Sequence, residues 1–293
     1  MSDSLSRLVV GLGEVLWDLL PDGPQLGGAP ANFAYHAGQF LGMDQVLAVS
    51  AVGSGPLAAD TATALHAHGL NTLLPHVAYP TGTVEVTLDS QGIPAYHIHE
   101  DVAWDHIPFL PEMQRIAGTC RAVCFGTLAQ RSADSCRTIR QFLQATPAEC
   151  LRVFDINLRQ HFYNTSIIQQ SLDNCNILKI NDEELDIVSQ LFNLPDAEAE
   201  LRCRHLLRAY GLQMVILTCG TQGSYVFTAH DTSFLPTPRV EVVDTIGAGD
   251  SFTGAFVASL LLGKSIGEAH QTAVRVSAYV CTQPGAMPIM NES

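Results

Sequence analysis

Three small residues and an acid, Gly247-Ala248-Gly249-Asp250, separate a β-branched run at 239–243 from an apolar run at 252–262. The first run predicts a strand. The second is long enough for three helical turns and apolar on nearly every side, which predicts a helix buried in a large core. The first N–H groups of such a helix lack intrahelical partners and carry the positive end of its dipole. The turn therefore predicts an anion site, suited to a phosphate or to the charge that develops in phosphoryl transfer.

Asp250 lies where that anion would bind. One interpretation is that its carboxylate only stabilises the helix dipole. The other is that it accepts a proton from a hydroxyl group while the backbone N–H groups hold the phosphoryl group under attack. Such a transfer needs little more from a protein than a base, an anion cradle and a metal ion. An acid beside an anion site is electrostatically unfavourable, and this favours a chemical role.

Composition and charge exclude several kinds of partner. The 293 residues are 47% hydrophobic, enough for one large α/β domain or two small ones. The formal net charge of −14 argues against nucleic acid or an anionic membrane as partner. No run approaches the roughly 20 apolar residues of a membrane span, and the first residues do not resemble a secretory signal. The eight scattered cysteines are typical of reduced thiols, so we expect a cytoplasmic protein.

Strand and helix patterns alternate along most of the chain. The predicted strands are 8–13, 14–19, 46–52, 83–88, 95–99, 122–125, 152–155, 176–179, 214–218, 224–228 and 232–235. The other predicted helices are 29–41, 56–68, 133–144, 167–174, 182–191, 197–210 and 274–281. This alternation predicts a mainly parallel sheet covered on both faces, with ligands at the carboxyl ends of its strands. The hairpin of 83–88 and 95–99 stands apart and predicts a small second sheet, which strand 14–19 could join.

Two segments resemble the signatures of a known family. DTIGAGDSFTGAF, which contains Asp250, resembles the C-terminal signature of ribokinase-like (PfkB-type) carbohydrate kinases, and GGAPANFA, from Gly27, resembles the N-terminal one. The Ala29-Pro30 pair is similar to that of bacterial fructokinases. The resemblance implies a three-layer α/β/α ribokinase-like fold over a single domain, 1–293, with a β-sheet lid whose strands lie within 14–28 and 80–103. It also implies transfer of the γ-phosphoryl group of ATP to a neutral sugar, D-fructose giving fructose 6-phosphate, with Asp250 as the base.

Several residues are expected on the sugar side of the site. Asp18 lies in an apolar strand, where a carboxylate is unfavourable unless hydrogen-bonded; it either stabilises the following turn or accepts sugar hydroxyl groups. Gly27 and Gly28 allow a ligand to approach the backbone, and Asn32 offers a donor and an acceptor. Trp104 either anchors a hinge or packs on the sugar face. From residue 1 to 110 the only Lys or Arg is Arg7, which argues against a phosphorylated sugar as substrate.

The phosphate side is predicted from two further motifs. Arg159, in Asp155-Ile156-Asn157-Leu158-Arg159, is a planar cation suited to a transferring phosphate, and the family's D-x-N-x-R motif supports this role; the alternative is a surface salt bridge. Asn181 and Glu184 match the family's N-x-x-E motif, which implies a Mg²⁺ ion held through water. They also form the pattern of a helix capping box, and both roles can hold together.

The resemblance also implies nucleotide and cation contacts. The nucleotide residues are Lys179, Thr218, Gly220, Gly223, Gly249, Ser277 and Cys281. A monovalent-cation loop, for K⁺, would use Asp244, Ile246, Val280 and Gly285. The family often has Ser in the following stretch, where this chain has Met287-Pro288-Ile289, so K⁺ activation is left open.

Other functions stay compatible with these residues. The acceptor could be ribose, a nucleoside or 2-keto-3-deoxygluconate, although the last should need a cation near the sugar. A catalytically silent sugar- or nucleotide-binding relative would keep the fold and lose the base or the anion turn. The small sheet could also pair two copies of the chain in a homodimer. Gly11-Leu12-Gly13 lacks the third glycine and the following helix of a dinucleotide-binding turn, which argues against that function.

Overall fold

A nine-stranded sheet and a four-stranded sheet organise the computed structural model, which describes residues 7–20, 23–88, 94–195 and 197–290. The strands are β1 (Val9–Leu12), β2 (Leu16–Leu20), β3 (Gly23–Gly27), β4 (Val46–Val49), β5 (Asn71–Leu73), β6 (Gly82–Leu88), β7 (Pro94–Ile98), β8 (Ala122–Phe125), β9 (Leu151–Asp155), β10 (Ile177–Asn181), β11 (Met214–Thr218), β12 (Ser224–Phe227) and β13 (Thr232–Leu235). The α-helices are α1 (Ala29–Leu41), α2 (Pro56–Ala67), α3 (Pro111–Ala117), α4 (Ala133–Gln144), α5 (Thr165–Asn174), α6 (Asp182–Phe192), α7 (Ala199–Ala209), α8 (Ala248–Leu261) and α9 (Ile266–Cys281).

The large sheet is mainly parallel, as predicted. Its strand order is β13-β12-β11-β10-β9-β8-β1-β4-β5, and every pair from β11 to β5 is parallel, while β12 and β13 add an antiparallel hairpin at one edge. Apolar clusters lie on both faces. One combines the sheet with α1, α2, α8 and α9, and the other combines it with α3 to α7. This three-layer arrangement confirms the predicted fold class.

The small sheet has the order β3-β2-β6-β7. Its strand β2 pairs antiparallel with β3 and parallel with β6, and β6 pairs antiparallel with β7. The predicted strand at 14–19 does join the predicted hairpin, and β3 follows it directly. Because β2 begins four residues after β1 ends, the small sheet stands at the carboxyl end of strand β1 of the large sheet.

The prediction of a strand at 239–243 is wrong. No strand is assigned there, and Val242 and Val243 are 59% and 62% exposed. The N–H group of Val243 instead donates to the backbone oxygen of Cys281, at the end of α9, at 2.8 Å. A β-branched sequence favours an extended chain, but it makes a strand only where a neighbouring strand can pair with it.

The apolar run after the anion turn is a buried helix, as predicted. In α8, the residues from Ser251 to Ser259 are all buried. None of the helices in the described part of the chain is both long and apolar enough to cross a bilayer. All eight cysteines are free thiols, and five of them are buried.

Candidate active site

Asn32 and Asp250, far apart in the chain, form a direct hydrogen bond. The Nδ2 group of Asn32 donates to Oδ2 of Asp250 at 2.8 Å. Each residue lies near the N-terminal end of its helix, α1 or α8. Gly254 permits the close packing of these helices, because a Cβ there would lie 2.7 Å from the backbone oxygen of Phe33. The N-terminal ends of α1 and α8 therefore meet at one place.

The turn of Gly247 to Asp250, hereafter the anion turn, has free donors. Gly247 has a φ of 75°, and a Cβ on it would lie 2.8 Å from the Cβ of Ala286, so the position requires glycine. Among the described residues, no acceptor is hydrogen-bonded to the N–H groups of Gly249 and Asp250. These are the unsatisfied donors at the positive end of the α8 dipole. The geometry thus supplies the groups that the predicted anion site requires.

A buried lysine lies beneath the anion turn. Nζ of Lys179 pairs with Oδ1 of Asp155 at 3.0 Å, and a Cβ on Gly249 would lie only 2.9 Å from that Nζ. The other oxygen of Asp155 accepts a hydrogen bond from Thr253 of α8 at 3.0 Å. This network connects β9, β10 and α8. It places Lys179, which was predicted to contact the nucleotide, directly beneath Gly249 of the anion turn.

The surroundings of Asp250 raise its pKa to about 6. Burial is the largest cause, and the nearby Asp155 carboxylate adds to it. The hydrogen bond from Asn32 and the charges of Lys179 and Arg159 act in the opposite direction. Such a carboxyl is mostly ionised at neutral pH and still close enough to its pKa to take up a proton. Asp250 therefore has the properties of a general base.

Arg159 is exposed and lies within electrostatic reach of the acids of the site. Burial raises the pKa values of Asp18 and Asp250, and the charge of Arg159 opposes both shifts. A hydrogen bond holds the backbone beside Arg159 in place. Oε1 of the buried Glu184 accepts it from the N–H group of Leu158 at 2.9 Å. Glu184 thereby holds the loop that carries Arg159.

Asn181 and Glu184 form the predicted capping box at the start of α6. Oδ1 of Asn181 accepts from the N–H group of Glu184 at 2.8 Å, and Oε2 of Glu184 accepts from the N–H group of Asn181 at 2.9 Å. Their oxygens therefore already have protein partners. Among the described residues there is no group of three or more His, Cys, Asp or Glu placed to hold a metal ion directly. A hydrated ion bound through its water molecules fits this donor set better than direct coordination.

Asp18, Gly27 and Gly28 lie where the small sheet meets α1. A Cβ on Gly27 would lie 2.8 Å from Oδ2 of Asp18, and one on Gly28 would lie 2.5 Å from the backbone oxygen of Glu14. Gly28 also has a φ of 129°. Gly28 is therefore required for this close packing, whereas a side chain at Gly27 would displace only the ends of the Asp18 and Leu16 side chains. The partly exposed Asp18 carboxylate has its pKa raised by burial.

Trp104 is 1% exposed, and a guanidinium covers one face of its ring. The guanidinium carbon of Arg131 lies 4.0 Å from the ring centroid. The backbone oxygen of Trp104 accepts a hydrogen bond from Ser135 at 2.7 Å. This geometry favours the anchor interpretation of Trp104 over packing on the sugar face. It also shows that the site region contains a cation, Arg131, that lies outside the first 110 residues.

The constellation of a carboxylate, an amide partner and free N–H donors at a helix start is suited to phosphoryl transfer. A model of the "pfkB family carbohydrate kinase" matches residues 24–292. The chain belongs to this family.

Individual relatives of this carbohydrate kinase carry different names. The chain is 27% identical to an ATP-dependent 6-phosphofructokinase of Thermoanaerobacterium thermosaccharolyticum, over 89% of this chain and 80% of that one. It is 26% identical to a fructokinase of Vibrio alginolyticus, over 94% of this chain and 93% of that one. A solved Escherichia coli protein described as a candidate ribokinase II, in complex with ATP and Mg²⁺, superposes with a TM-score of 0.81 at 23% identity. That match covers 96% of this chain and 94% of the other, and it establishes the ribokinase-like fold.

Besides Lys179 and Gly249 at the anion turn, the residues predicted to bind nucleotide lie on two neighbouring parts of the kinase. Thr218 ends strand β11, and Gly220 and Gly223 follow it. Gly223 has a φ of 133° and no space for a Cβ. Ser277 and Cys281 lie one turn apart on α9, and both are partly exposed. Helix α9 packs against β12 and β13, which follow these glycines.

The predicted cation loop is held together by hydrogen bonds. Oδ1 of Asp244 accepts from the N–H group of Ile246 at 3.0 Å, and Oδ2 accepts from the N–H group of Gly285 at 3.2 Å. The backbone oxygen of Val280 accepts from the N–H group of Gln283 at 3.0 Å. Asp244 thus connects the segment just before the anion turn to the segment after α9, and monovalent-cation binding there stays a prediction.

Sequence reasoning gave no role to three side chains of the site. Glu14 is buried and its pKa is affected by Asp250 and Arg159, while Asp155 pairs with Lys179. The sequence positions of both acids could have predicted a role in the site, because each lies at or just beyond the carboxyl end of a buried parallel strand. Arg131, the third, lies in a 3₁₀ turn, and it ends a segment, 126–131, that follows a strand and resembles either a fructokinase substrate loop or an ordinary loop.

Proposed function

We propose that this carbohydrate kinase is a fructokinase, which transfers the γ-phosphoryl group of ATP to the terminal hydroxyl of D-fructose and forms fructose 6-phosphate and ADP. The observation that carries the proposal is the Asn32–Asp250 hydrogen bond beside the free N–H groups of the anion turn. A carboxylate with a pKa of about 6 is thereby fixed next to the place where an anion would bind. The fructokinase of Vibrio alginolyticus, similar over nearly the whole chain, supports the choice of sugar.

The side chains suggest how the transfer proceeds. Asp250 accepts the proton of the terminal hydroxyl as that oxygen bonds to the γ-phosphorus. The bond from the γ-phosphorus to the bridging oxygen of ATP breaks, and that oxygen leaves on ADP. The N–H groups of Gly249 and Asp250 and the guanidinium of Arg159 bind the oxygens of the group in transit. Asn32 keeps Asp250 oriented, and the proton later leaves to solvent.

The nucleotide and the metal ion are proposed to bind at the same edge of the large sheet. ATP would extend from the anion turn toward Thr218 and the exposed side of α9, with the Lys179–Asp155 ion pair directly below the phosphates. Asn181 and Glu184 would hold Mg²⁺ through its water molecules. When bound, this ion supplies charge that offsets the negative charge of the phosphates. The E. coli relative contains both ATP and Mg²⁺.

The small sheet is proposed to act as the lid of the sugar site. It carries Asp18 on β2 and contacts the phosphate side, because the side-chain amide of Gln160 donates to the backbone oxygen of Tyr96 at 2.7 Å. Arg131 ties the chain after β7 to the same region by donating to the backbone oxygen of His99 at 2.5 Å. Closure there would exclude water, so that ATP is not simply hydrolysed.

One screen tests the proposed function. ADP release is measured in a coupled assay with fructose, ribose, glucose, adenosine, 2-keto-3-deoxygluconate and fructose 6-phosphate. We expect the highest kcat/KM for fructose. A preference for fructose 6-phosphate, the substrate suggested by the name of the Thermoanaerobacterium relative, would contradict the assignment, as would release of ADP at the same rate without any sugar.

A further inference from the structure

An unpartnered acid lies close to the Asn32–Asp250 pair. Glu14 is 3% exposed, and its Oε2 atom has no hydrogen-bond partner. Its carboxylate does interact with the N–H group of its own residue. A buried carboxylate oxygen without a donor is unfavourable, and native proteins rarely leave one unless a ligand or water completes it. Oε2 of Glu14 is therefore an acceptor in need of a donor.

Three observations place Glu14 at the sugar side of the site. Its backbone oxygen is the atom that a side chain on Gly28 would strike, so Glu14 abuts the start of α1. The residue lies two positions beyond the end of β1, beside the junction with the small sheet. The charges of Asp250 and Arg159 both act on its carboxyl, so it lies within electrostatic reach of the groups proposed to transfer the phosphoryl group.

Asn32, a neighbouring residue, also has an oxygen that lacks a hydrogen-bond donor. Oδ1 of the buried Asn32 also has no partner, although its Nδ2 binds Asp250. Asp18, a third acid with its pKa raised by burial, lies at the same junction. Two cations act on the Glu14 carboxyl, Arg159 and Arg131. The charge of Arg131 is offset by Asp105, which it contacts at 2.8 Å through both Nε and Nη2. The unpartnered oxygens of Glu14 and Asn32 suit a ligand that presents several hydroxyl hydrogens. Hydroxyl oxygens would also suit Nη1 of Arg131 and Nε1 of Trp104, two buried donors without a partner.

We propose that Glu14 is a specificity-determining residue, whose Oε2 atom accepts a hydrogen bond from a hydroxyl group of the acceptor sugar other than the one that is phosphorylated. The inference rests on the proposed sugar kinase function and deepens it. Acceptance by a carboxylate selects a neutral polyol and disfavours sugar phosphates and sugar acids, whose anionic groups would approach Glu14, Asp18 and Asp250. The first 110 residues contribute no cation to the site, and Glu14 adds an acid there.

The pKa of Glu14 allows a second test besides sugar affinity, namely the release of protons when the sugar binds. Burial, as the largest cause, raises it to about 7, and the charge on Asp250 adds to the shift. Arg159 and Arg131 oppose it, and the buried thiol of Cys124 lies close to both acids. A hydroxyl that donates to the ionised carboxylate favours that form, so sugar binding near pH 7 should release protons.

The test begins with the sugar of highest kcat/KM in the screen. Glu14→Met keeps the length of the side chain and removes both acceptors, and Glu14→Gln removes only the charge. We expect the sugar KM to rise roughly 10- to 100-fold in Glu14→Met and less in Glu14→Gln, with the KM for ATP unchanged. Both variants should fold, since neither buries a charge. Ser259→Ala is the matched control, because Ser259 is another buried oxygen without a partner, on α8 and about 13 Å along the helix from Asp250.

Two further measurements separate recognition from a structural effect. Sugar analogues that each lack one hydroxyl are bound to wild type and to Glu14→Met. One analogue should bind to wild type more weakly than the parent sugar does. The same analogue and the parent sugar should bind to Glu14→Met with equal affinity. Calorimetry at pH 7 in buffers of different ionisation enthalpy should show proton release with wild type and none with Glu14→Gln.

The outcomes are distinguishable. Unchanged sugar affinity in Glu14→Met, the same loss for every deoxy analogue in both proteins, or proton uptake on binding would each overturn the role of Glu14 while leaving the kinase assignment intact. Absence of sugar-dependent ADP release in wild type would instead contradict the proposed function itself.

Discussion

Replacement of Asp250 by Asn should separate proton transfer from binding. Asn has the same shape, and its side-chain oxygen can still accept the hydrogen bond from Asn32, which now measures 2.8 Å. It cannot take up the proton of the sugar hydroxyl. We expect kcat to fall about 10²- to 10⁴-fold, the range typical of a lost general base, with little change in the KM for fructose.

The same substitution should stabilise the fold at neutral pH. The pKa of Asp250 is about 6 in the folded protein, against an ordinary value of 3.8. Ionisation is therefore less favourable in the folded state, by at most about 3 kcal/mol for a shift of this size. The gain from Asp250→Asn should be absent below about pH 4, where the carboxyl is neutral in both states. It should grow as the pH rises to about 6 and stay constant above that value.

Two assays test this reasoning. In the coupled ADP assay, kcat/KM of wild type should decrease as the pH falls through about 6, and the residual activity of Asp250→Asn should lack this decrease. Guanidinium denaturation at acidic and neutral pH measures the stability difference. Glu268→Gln is the matched control, because Glu268 is also an acid in the first turn of a helix and contributes only to capping there.

The outcome that refutes the role of Asp250 is clear. If Asp250→Asn retained turnover within about tenfold of wild type, below the range of a lost base, the residue would not be the base. If it also lost stability as Glu268→Gln should, Asp250 would be a dipole-stabilising residue.

Four further predictions follow. Arg159→Ala should lower kcat by about 10²-fold or more and leave the KM for fructose nearly unchanged, as steady-state kinetics would show. Lys179→Met removes the partner of the buried Asp155 and should lower the free energy of unfolding by about 3–5 kcal/mol in guanidinium denaturation. Gly28→Ala forces alanine to a φ of 129° against the backbone of Glu14, and should cost about 1–3 kcal/mol of stability and raise the KM for fructose. Removal of divalent ions with EDTA should abolish turnover, and added MgCl₂ should restore it.

Each of these has a contrary result. A raised fructose KM with normal kcat in Arg159→Ala would assign Arg159 to the sugar. Wild-type stability in Lys179→Met would mean that Asp155 is not left as an uncompensated charge, and full stability in Gly28→Ala would contradict the packing against Glu14. Undiminished turnover in EDTA would remove the role proposed for Asn181 and Glu184.

Local patterns predicted most of the architecture, because their physical causes are local. The alternation of β-branched and amphipathic runs from residue 121 predicted the parallel sheet, and the capping pattern at Asn181 and Glu184 predicted the start of α6. The strand at 239–243 failed for a non-local reason. The segment does not pair with the edge strand β13, and the N–H group of Val243 donates instead to the backbone oxygen of Cys281 at the end of α9. Trp104 likewise gave two possibilities that only the position of Arg131 could distinguish.

The sequence by itself determined the family, the anion turn with its acid, and the order of elements, since these depend on residue type and spacing along the chain. Tertiary structure decided which distant groups meet. Asn32 reaches Asp250 because Gly254 lets two helices touch, and Lys179 lies under Gly249 because β10 lies below α8. Glu14 became a site residue only once its unpartnered oxygen was found beside those groups. The pKa values of the acids are set by burial and by charges from other segments, which no local stretch of sequence encodes.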